Sequence, residues 1–373
     1  MNWRSLRIAL VGPVPPPAGG MAGQTRQLAE LLRAEGAQVT MVPTNPPYRP
    51  AWIAHVRGLR ALPRLVGYVV SLWRATGRVQ MVHLMANSGW SWHLFAAPAI
   101  WVARLRGRPV VVNYRGGEAQ AFLERSLRWV RPSLRAATAL AVPSGFLEHV
   151  FARFGIPARV VPNIIDPQRF RPRTGDTSQS DGGRADAPII LVARHLEPIY
   201  DIGTAIRAFA IVLQRIPGAR LVVAGTGPER TALVRLVEEL GIGAMVQFAG
   251  QLDREAMAEA FAHADVMVNP SLVDNMPNSV LEAMASGVPV VSTNVGGVPY
   301  IVADGHTALL VAPGQPAAMA AAILRLYSEP GLASRLAAAG LGEIQRYTWP
   351  QVRDTLGTVY ATALAAGGRG FAG

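Results

Sequence analysis

Asn269-Pro-Ser-Leu-Val-Asp-Asn-Met-Pro-Asn-Ser-Val-Leu-Glu-Ala-Met-Ala-Ser-Gly-Val-Pro-Val-Val291 passes from loop to helix to strand. Asn275-Met-Pro-Asn278 carries turn residues, and Val280 to Ala285 suit a short helix. Gly287 ends that helix, and Val288-Pro-Val-Val291 reads as a buried strand. Asp274 falls in the loop and Glu282, eight positions on, inside the helix. Both lie near a helix N-terminus, where unpaired N–H groups and the helix dipole favour an anion. Two carboxylates beside an anion seat suit a ligand with hydroxyls and a phosphate. Taken alone, the two acids read better as a helix cap and a surface acid.

Working outward, short apolar runs alternate with helical patterns. Ile8–Val11, Val39–Val42, Val79–Leu84, Val110–Asn113, Ala139–Val142 and Val160–Val161 read as strands of a first half. Residues 174–188 are polar and Gly-rich without apolar period, a linker or exposed loop. The pattern then restarts with strands Ile189–Ala193, Arg220–Ala224, Val246–Ala249, Val266–Asn269 and Val288–Ser292. Strands alternating with helices predict α/β domains with parallel, doubly wound sheets, whose ligands bind at the carboxyl ends of the strands. Helical runs at 316–327, 332–347 and 351–364 close the chain.

Composition narrows the chemistry. A chain of 373 residues, half of them hydrophobic, suits about two domains. With no cysteine, disulfides, thiolate catalysis and Cys-ligated metals are excluded. All 36 basic residues are Arg, so no Schiff base or catalytic ammonium is possible. Residues 1–165 hold 20 Arg against 5 Glu, whereas 166–373 hold 16 Arg against 19 acids. The basic half favours a phosphorylated ligand, an anionic membrane surface or nucleic acid. Nucleic acid is the least favoured partner, because no recognition motif accompanies the charge. No run of about 18 apolar residues suggests a membrane span, and the start of the chain has no signal-peptide pattern. The segment Trp90–Ala103 reads as a buried helix, and His83 and His93 as core histidines.

Further candidates stand at strand ends. Gly19 and Gly20, in the Pro-rich turn after Ile8–Val11, would let the backbone approach a phosphate or sugar; a plain turn fits as well. Arg194 follows Ile189–Ala193 and could clamp a diphosphate or stand free at the surface. Arg64, Gly67, Ser71, Arg74 and Arg78 make a basic stripe beside Leu65, Val69 and Trp73. With the Arg-interspersed run before it, residues 52–78 suit an anionic bilayer; a core helix with one wet face is the alternative.

The quoted segment, together with Val161-Pro-Asn-Ile-Ile-Asp166, Ala224-Gly-Thr-Gly-Pro228, Gly296-Gly-Val-Pro299 and Tyr347-Thr-Trp-Pro-Gln351, resembles the retaining glycosyltransferases of family four, the glycogen-synthase-like group 1. The resemblance covers nearly the whole chain. It implies the GT-B fold: two Rossmann-like domains facing a cleft, at 1–168 and 189–346, with 347–373 crossing back onto the first. It implies transfer of a sugar from a nucleotide-diphospho-sugar, without a metal or other cofactor. By resemblance Glu282 binds the ribose, Asp274 the donor sugar's hydroxyls, Arg194 the diphosphate, and Gly19 and Gly20 approach the donor, with Asn275 and Asn278 in the same loop.

Three departures stand out. Asp274 replaces the usual Glu, and Ile199 and Tyr200 occupy the positions where the family usually has a Lys. Where the family often has a His after the fourth strand, this chain has Val112-Asn-Tyr-Arg-Gly-Gly-Glu118, so Arg115 and Glu118 are expected to face the cleft; a surface ion pair is the alternative. The expected acceptor is a glycan or polyprenyl-linked saccharide in polysaccharide biosynthesis. The expected location is cytoplasmic, peripheral on the inner face of the cell membrane. A 2-epimerase of the same fold and a non-catalytic sugar-nucleotide-binding subunit are the competing readings.

Overall fold

The computed structural model describes residues 1–15, 20–46, 61–173 and 187–367, which form two compact units, Met1–Ile164 with Trp349–Gly373 and Ile165–Thr348. Gly19, residues 47–60 and most of the expected linker lie outside the described residues.

The first unit is a parallel sheet of β1 (Arg7–Gly12), β2 (Gln38–Pro43), β3 (Met81–Ala86), β4 (Val110–Tyr114), β5 (Ala139–Val142) and β6 (Arg159–Val160), ordered β2-β1-β3-β4-β5-β6. The central strands β3 and β4 are buried along their whole length, so they are mostly apolar, with His83 and Asn113 as polar exceptions. One core includes α2 (Ala61–Thr76), α3 (Ala97–Leu105), α4 (Ala119–Ala136) and α5 (Gly145–Arg153). Another core joins the sheet to α1 (Gly20–Ala34) and to the last helix, α12 (Trp349–Ala366). Tyr360 of α12 is fully buried, its hydroxyl 2.8 Å from His83 Nδ1.

The second unit has β7 (Ile189–Ala193), β8 (Arg220–Ala224), β9 (Val246–Gly250), β10 (Val266–Asn269), β11 (Val290–Thr293) and β12 (Leu309–Val311), again parallel, ordered β12-β11-β10-β7-β8-β9. Its helices are α6 (Ile202–Leu213), α7 (Arg230–Glu239), α8 (Arg254–His263), α9 (Asn278–Ala285), α10 (Pro316–Ser328) and α11 (Leu332–Glu343). The order reverses between β7 and β10, the switch point at which ligands of doubly wound sheets bind.

Three local expectations change. The second unit begins at Ile165, whose N–H donates to Tyr347 O (2.9 Å), and Phe170 packs edge-on against Phe261, so 165–168 belong with it. The run at 90–103 is a π-helical turn (Trp92–Ala96) leading into α3, and Trp90, Leu94 and Trp101 are exposed. The basic stripe is shorter than its spacing suggested: Arg78 lies beyond α2, and Arg64 turns inward to donate to Thr44 O (2.9 Å). Gly67, Ser71 and Arg74 remain exposed beside Val66, Val70 and Trp73.

Candidate active site

The site is built where β7 and β10 end. Arg194 leaves β7, and its backbone continues alongside the turn after β8: Arg194 N donates to Ala224 O and Leu196 N to Thr226 O, both at 3.0 Å. That approach is close because the turn is Gly225-Thr-Gly227. A Cβ on Gly225 would lie 1.8 Å from Arg194 O, and one on Gly227 2.3 Å from Leu196 O. The glycines of this motif therefore set the path of the chain that carries Arg194.

Arg194 and Asp274 meet 80 residues apart in sequence. The Arg194 Nη2 to Asp274 Oδ2 distance is 2.5 Å, with side-chain exposures of 11% and 9%. The Asp274 backbone is fixed from the turn after β11, Gly297 N donating to its carbonyl at 2.8 Å. Burial raises the Asp274 pKa, and the Arg194 charge opposes that shift. Under the guanidinium lies Tyr200, its ring centroid 4.1 Å from Arg194 Cζ. The position where a lysine was expected thus holds an aromatic face for the arginine. Arg194 Nε is buried and has no hydrogen-bond partner within the protein.

Helix α9 brings in the second acid. It starts at Asn278 without a side-chain cap, and the buried Ser279 Oγ in its first turn lacks a partner. Uncapped helix N-termini in general attract anions. Glu282, one turn further along, is partly buried. Burial pushes its carboxyl up to about 7, against the opposing charges of Arg194 and Arg254. Asn275 is buried in the loop and Asn278 half-buried at the helix start. Arg194, Asp274, Asn275, Asn278 and Glu282 thus lie in one region of the second unit. Sequence reading did not single out Tyr200 as a partner of Arg194 or Arg254 as a neighbour of Glu282; both are tertiary contacts.

The first-unit candidates behave differently. Gly20 is the exposed first residue of α1. Arg115 is held by its neighbours: its Nε donates to Asn113 Oδ1 at 3.0 Å and its Nη1 to Asn163 Oδ1. Burial lowers its pKa to about 10. Asn113 Nδ2 in turn lies 3.2 Å from His83 Nε2. With that amide donating, the proton of neutral His83 sits on Nδ1 and Tyr360 accepts it. Burial, followed by the Arg115 charge, lowers His83 to about 3, keeping it neutral. Glu118 is exposed, just before α4. His83 is therefore a satisfied core histidine, whereas His93 is only partly buried. Among the described residues, no cluster of three His, Asp or Glu could hold a metal ion, and no helix is long and apolar enough to cross a membrane.

Comparison with known proteins gives consistent matches. A family model described as glycosyl transferases group 1 matches residues 176–341, and one described as glycosyltransferase family 4 matches 18–169. The D-inositol 3-phosphate glycosyltransferase of Actinosynnema mirum is 34% identical over 214 residues, 55% of this chain and 51% of that protein. The chain spans about half the length of this and similar curated relatives. The phosphatidyl-myo-inositol mannosyltransferase of Mycobacterium leprae aligns over 98% of this chain and 99% of its own length, at 27% identity. Sucrose-phosphate synthase from Thermosynechococcus elongatus shares the fold, with a TM-score of 0.78 at 24% identity over 97% of this chain and all of that one. Anabaena HepE, solved with UDP and glucose, does so with a TM-score of 0.74 at 18% identity, over 95% and 99% of the two chains.

Proposed function

We propose that this chain, which belongs to the group 1, family-four glycosyltransferases of GT-B fold, moves a sugar from a nucleotide-diphospho-sugar to a membrane-associated glycan or polyprenyl-linked acceptor with retention of configuration. The observation that carries the reading is the buried Arg194–Asp274 pair beside the uncapped start of α9 and Glu282. The bond from the anomeric carbon to the diphosphate oxygen breaks, and the electron pair leaves with the diphosphate. The acceptor oxygen bonds the anomeric carbon, and its proton passes to the departing phosphate. Arg194 and the α9 N–H groups stabilise the developing negative charge without a metal ion. Asp274 and Glu282 orient the sugar and ribose hydroxyls.

A UDP-type donor is supported by HepE, a relative in fold that was solved with UDP-glucose. A membrane-borne acceptor is supported by the name of the M. leprae relative and by Val66, Val70 and Trp73 exposed beside Arg74 on α2. The protein would then work peripherally on the cytoplasmic face of the membrane. Thermal-shift titration with nucleoside diphosphates and nucleotide sugars tests the donor site. The expected result is stabilisation that Glu282→Ala weakens; no shift with any of them would remove the donor reading. Transfer unaffected by EDTA is expected, and a rate abolished by the chelator and restored by a divalent cation would refute the metal-free step.

A further inference from the structure

The first unit has an open groove of about 500 Å³ that the donor site does not use. Gly89, Trp90, His93, Phe122, Ser126 and Trp129 line it. It lies between the segment that follows β3, with Gly89, Trp90 and His93, and α4, the helix after β4, with Phe122, Ser126 and Trp129. Its volume falls within the range of small-molecule sites, roughly 300–1,000 Å³. Trp90 is 79% exposed and Trp129 67% exposed, so neither indole serves the core. His93 stands between Trp90 and Phe122, with ring centroids 6.2 and 6.3 Å away.

The lining contains aromatic rings, a histidine, a serine and a glycine, and no Leu, Ile or Val. A hydrocarbon chain is best held by an aliphatic trough. Flat rings with a few polar groups instead match the C–H face and hydroxyl edge of a pyranose. The charge is equally one-sided: α4, which supplies Phe122, Ser126 and Trp129, carries Arg125, Arg128, Arg131 and Arg135 against Glu124. Arg131 is engaged with Phe154 O. The Arg128 guanidinium lies 5.0 Å from the Trp129 ring, at the groove's edge.

We propose that this groove is a saccharide-binding subsite for an anionic glycan, with sugar rings on Trp90 and Trp129 and the negative charge on Arg128. It deepens the transferase reading by giving its acceptor a chemical class, and it rests on that reading for its place in the reaction. The test uses the full chain, with hyaluronan tetrasaccharide, neutral maltotetraose and phosphatidylglycerol vesicles as probes and tryptophan fluorescence as readout. Hyaluronan tetrasaccharide is expected to bind more tightly than maltotetraose. Trp90→Ala and Trp129→Ala should each weaken it about tenfold, and Arg128→Gln should erase the preference for the charged sugar. UDP affinity, measured alongside, is expected to be unchanged in all three variants, so a failed donor site and a failed groove give different results. Because both indoles are mostly in solvent, the variants should keep the parent circular dichroism spectrum and Tm. Saccharides that leave the fluorescence unmoved would overturn the proposal. So would vesicle binding, lost in the Trp variants, with no saccharide binding.

Discussion

Gly225→Ala isolates the contact that aims Arg194. At φ +152° the new Cβ would sit 1.8 Å from Arg194 O and 2.8 Å from Arg194 C, both backbone atoms. Contacts under 3.0 Å are essentially never seen, so the strand ends must part by about 1.2 Å. That movement opposes the hydrogen bonds Arg194 N to Ala224 O (3.0 Å) and Gly225 N to Gly250 O (2.7 Å). Overpacking and an unfavourable φ together cost about 2–4 kcal/mol, on the order of 5–15 °C in Tm for a unit of this size. For the leaving-group role proposed for Arg194, a displacement of roughly 1 Å costs about a hundredfold in turnover. Gly243→Ala is the control, since its Cβ meets nothing within 4 Å. Its Tm should stay within about 1 °C of the parent or rise slightly. Calorimetry and UDP titration on both variants read the difference. Gly225→Ala with the Tm and UDP affinity of Gly243→Ala would refute the account of how this turn positions Arg194.

Other expectations follow from the same site and from the first-unit core. The Glu282 carboxyl, raised to about 7 in the folded protein from an ordinary value near 4.5, stabilises the fold relative to its ionised form below pH 4.5, and that stability is lost as pH rises through 7. Glu282→Gln should therefore match the parent Tm near pH 4 and exceed it at pH 8; a constant difference would show that the carboxyl is not shifted. Tyr200→Leu removes the ring under Arg194 and should weaken UDP binding by about two- to twelvefold, for a stacked cation worth about 0.5–1.5 kcal/mol; an unchanged dissociation constant would mean that Asp274 alone holds the arginine. Tyr360→Phe leaves the His83 Nδ1–H buried without its acceptor and should cost about 1–3 kcal/mol, read by denaturant unfolding. His83 is neutral in the fold down to about pH 3, so its own contribution to stability falls as pH drops below 6.5, where the unfolded histidine takes up a proton, opposite in sign to the Glu282 contribution over the same range. A stability difference between the parent and His83→Gln that stays constant from pH 7 to 5 would exclude that contribution.

Much of this architecture was legible because parallel strands buried on both faces spell themselves out. Ile189–Ala193 is an unbroken apolar run and Val266–Asn269 an apolar run closed by Asn269, and they match β7 and β10 residue for residue. β12 has only three residues, too few to display a period, and it went unread. Glu282 and Arg194 were readable for a local reason: one sits in a short helix after a loop, the other directly after a strand. What local pattern does not encode is which side chains meet. Arg115 stands where the sequence put it, after β4, yet its guanidinium is bound to Asn163, 48 residues on. Tyr200 registered only as a missing lysine, because a ring lying under an arginine is a tertiary fact. The run from Trp90 to Ala103 was apolar enough to suggest burial. Hydropathy reports composition and not direction, and the π-helical turn and α3 leave Trp90, Leu94 and Trp101 on the outside.

The return of α12 to the first unit also sets an order of events during synthesis. Ile8, Leu10, Leu28 and Leu32 share a core with Val352, Leu356 and Tyr360. Those early residues leave the ribosome long before their covering helix exists, since the whole of Ile165–Thr348 must be made in between. At ordinary elongation rates the wait is about fifteen to seventy seconds. The second unit has its complete sequence before the first does, so the half of the chain begun first is finished last. A nascent chain stalled after Thr348 should carry a protease-resistant second unit beside a first unit that is still cleaved, with His83 lacking the hydroxyl that completes its hydrogen bonds.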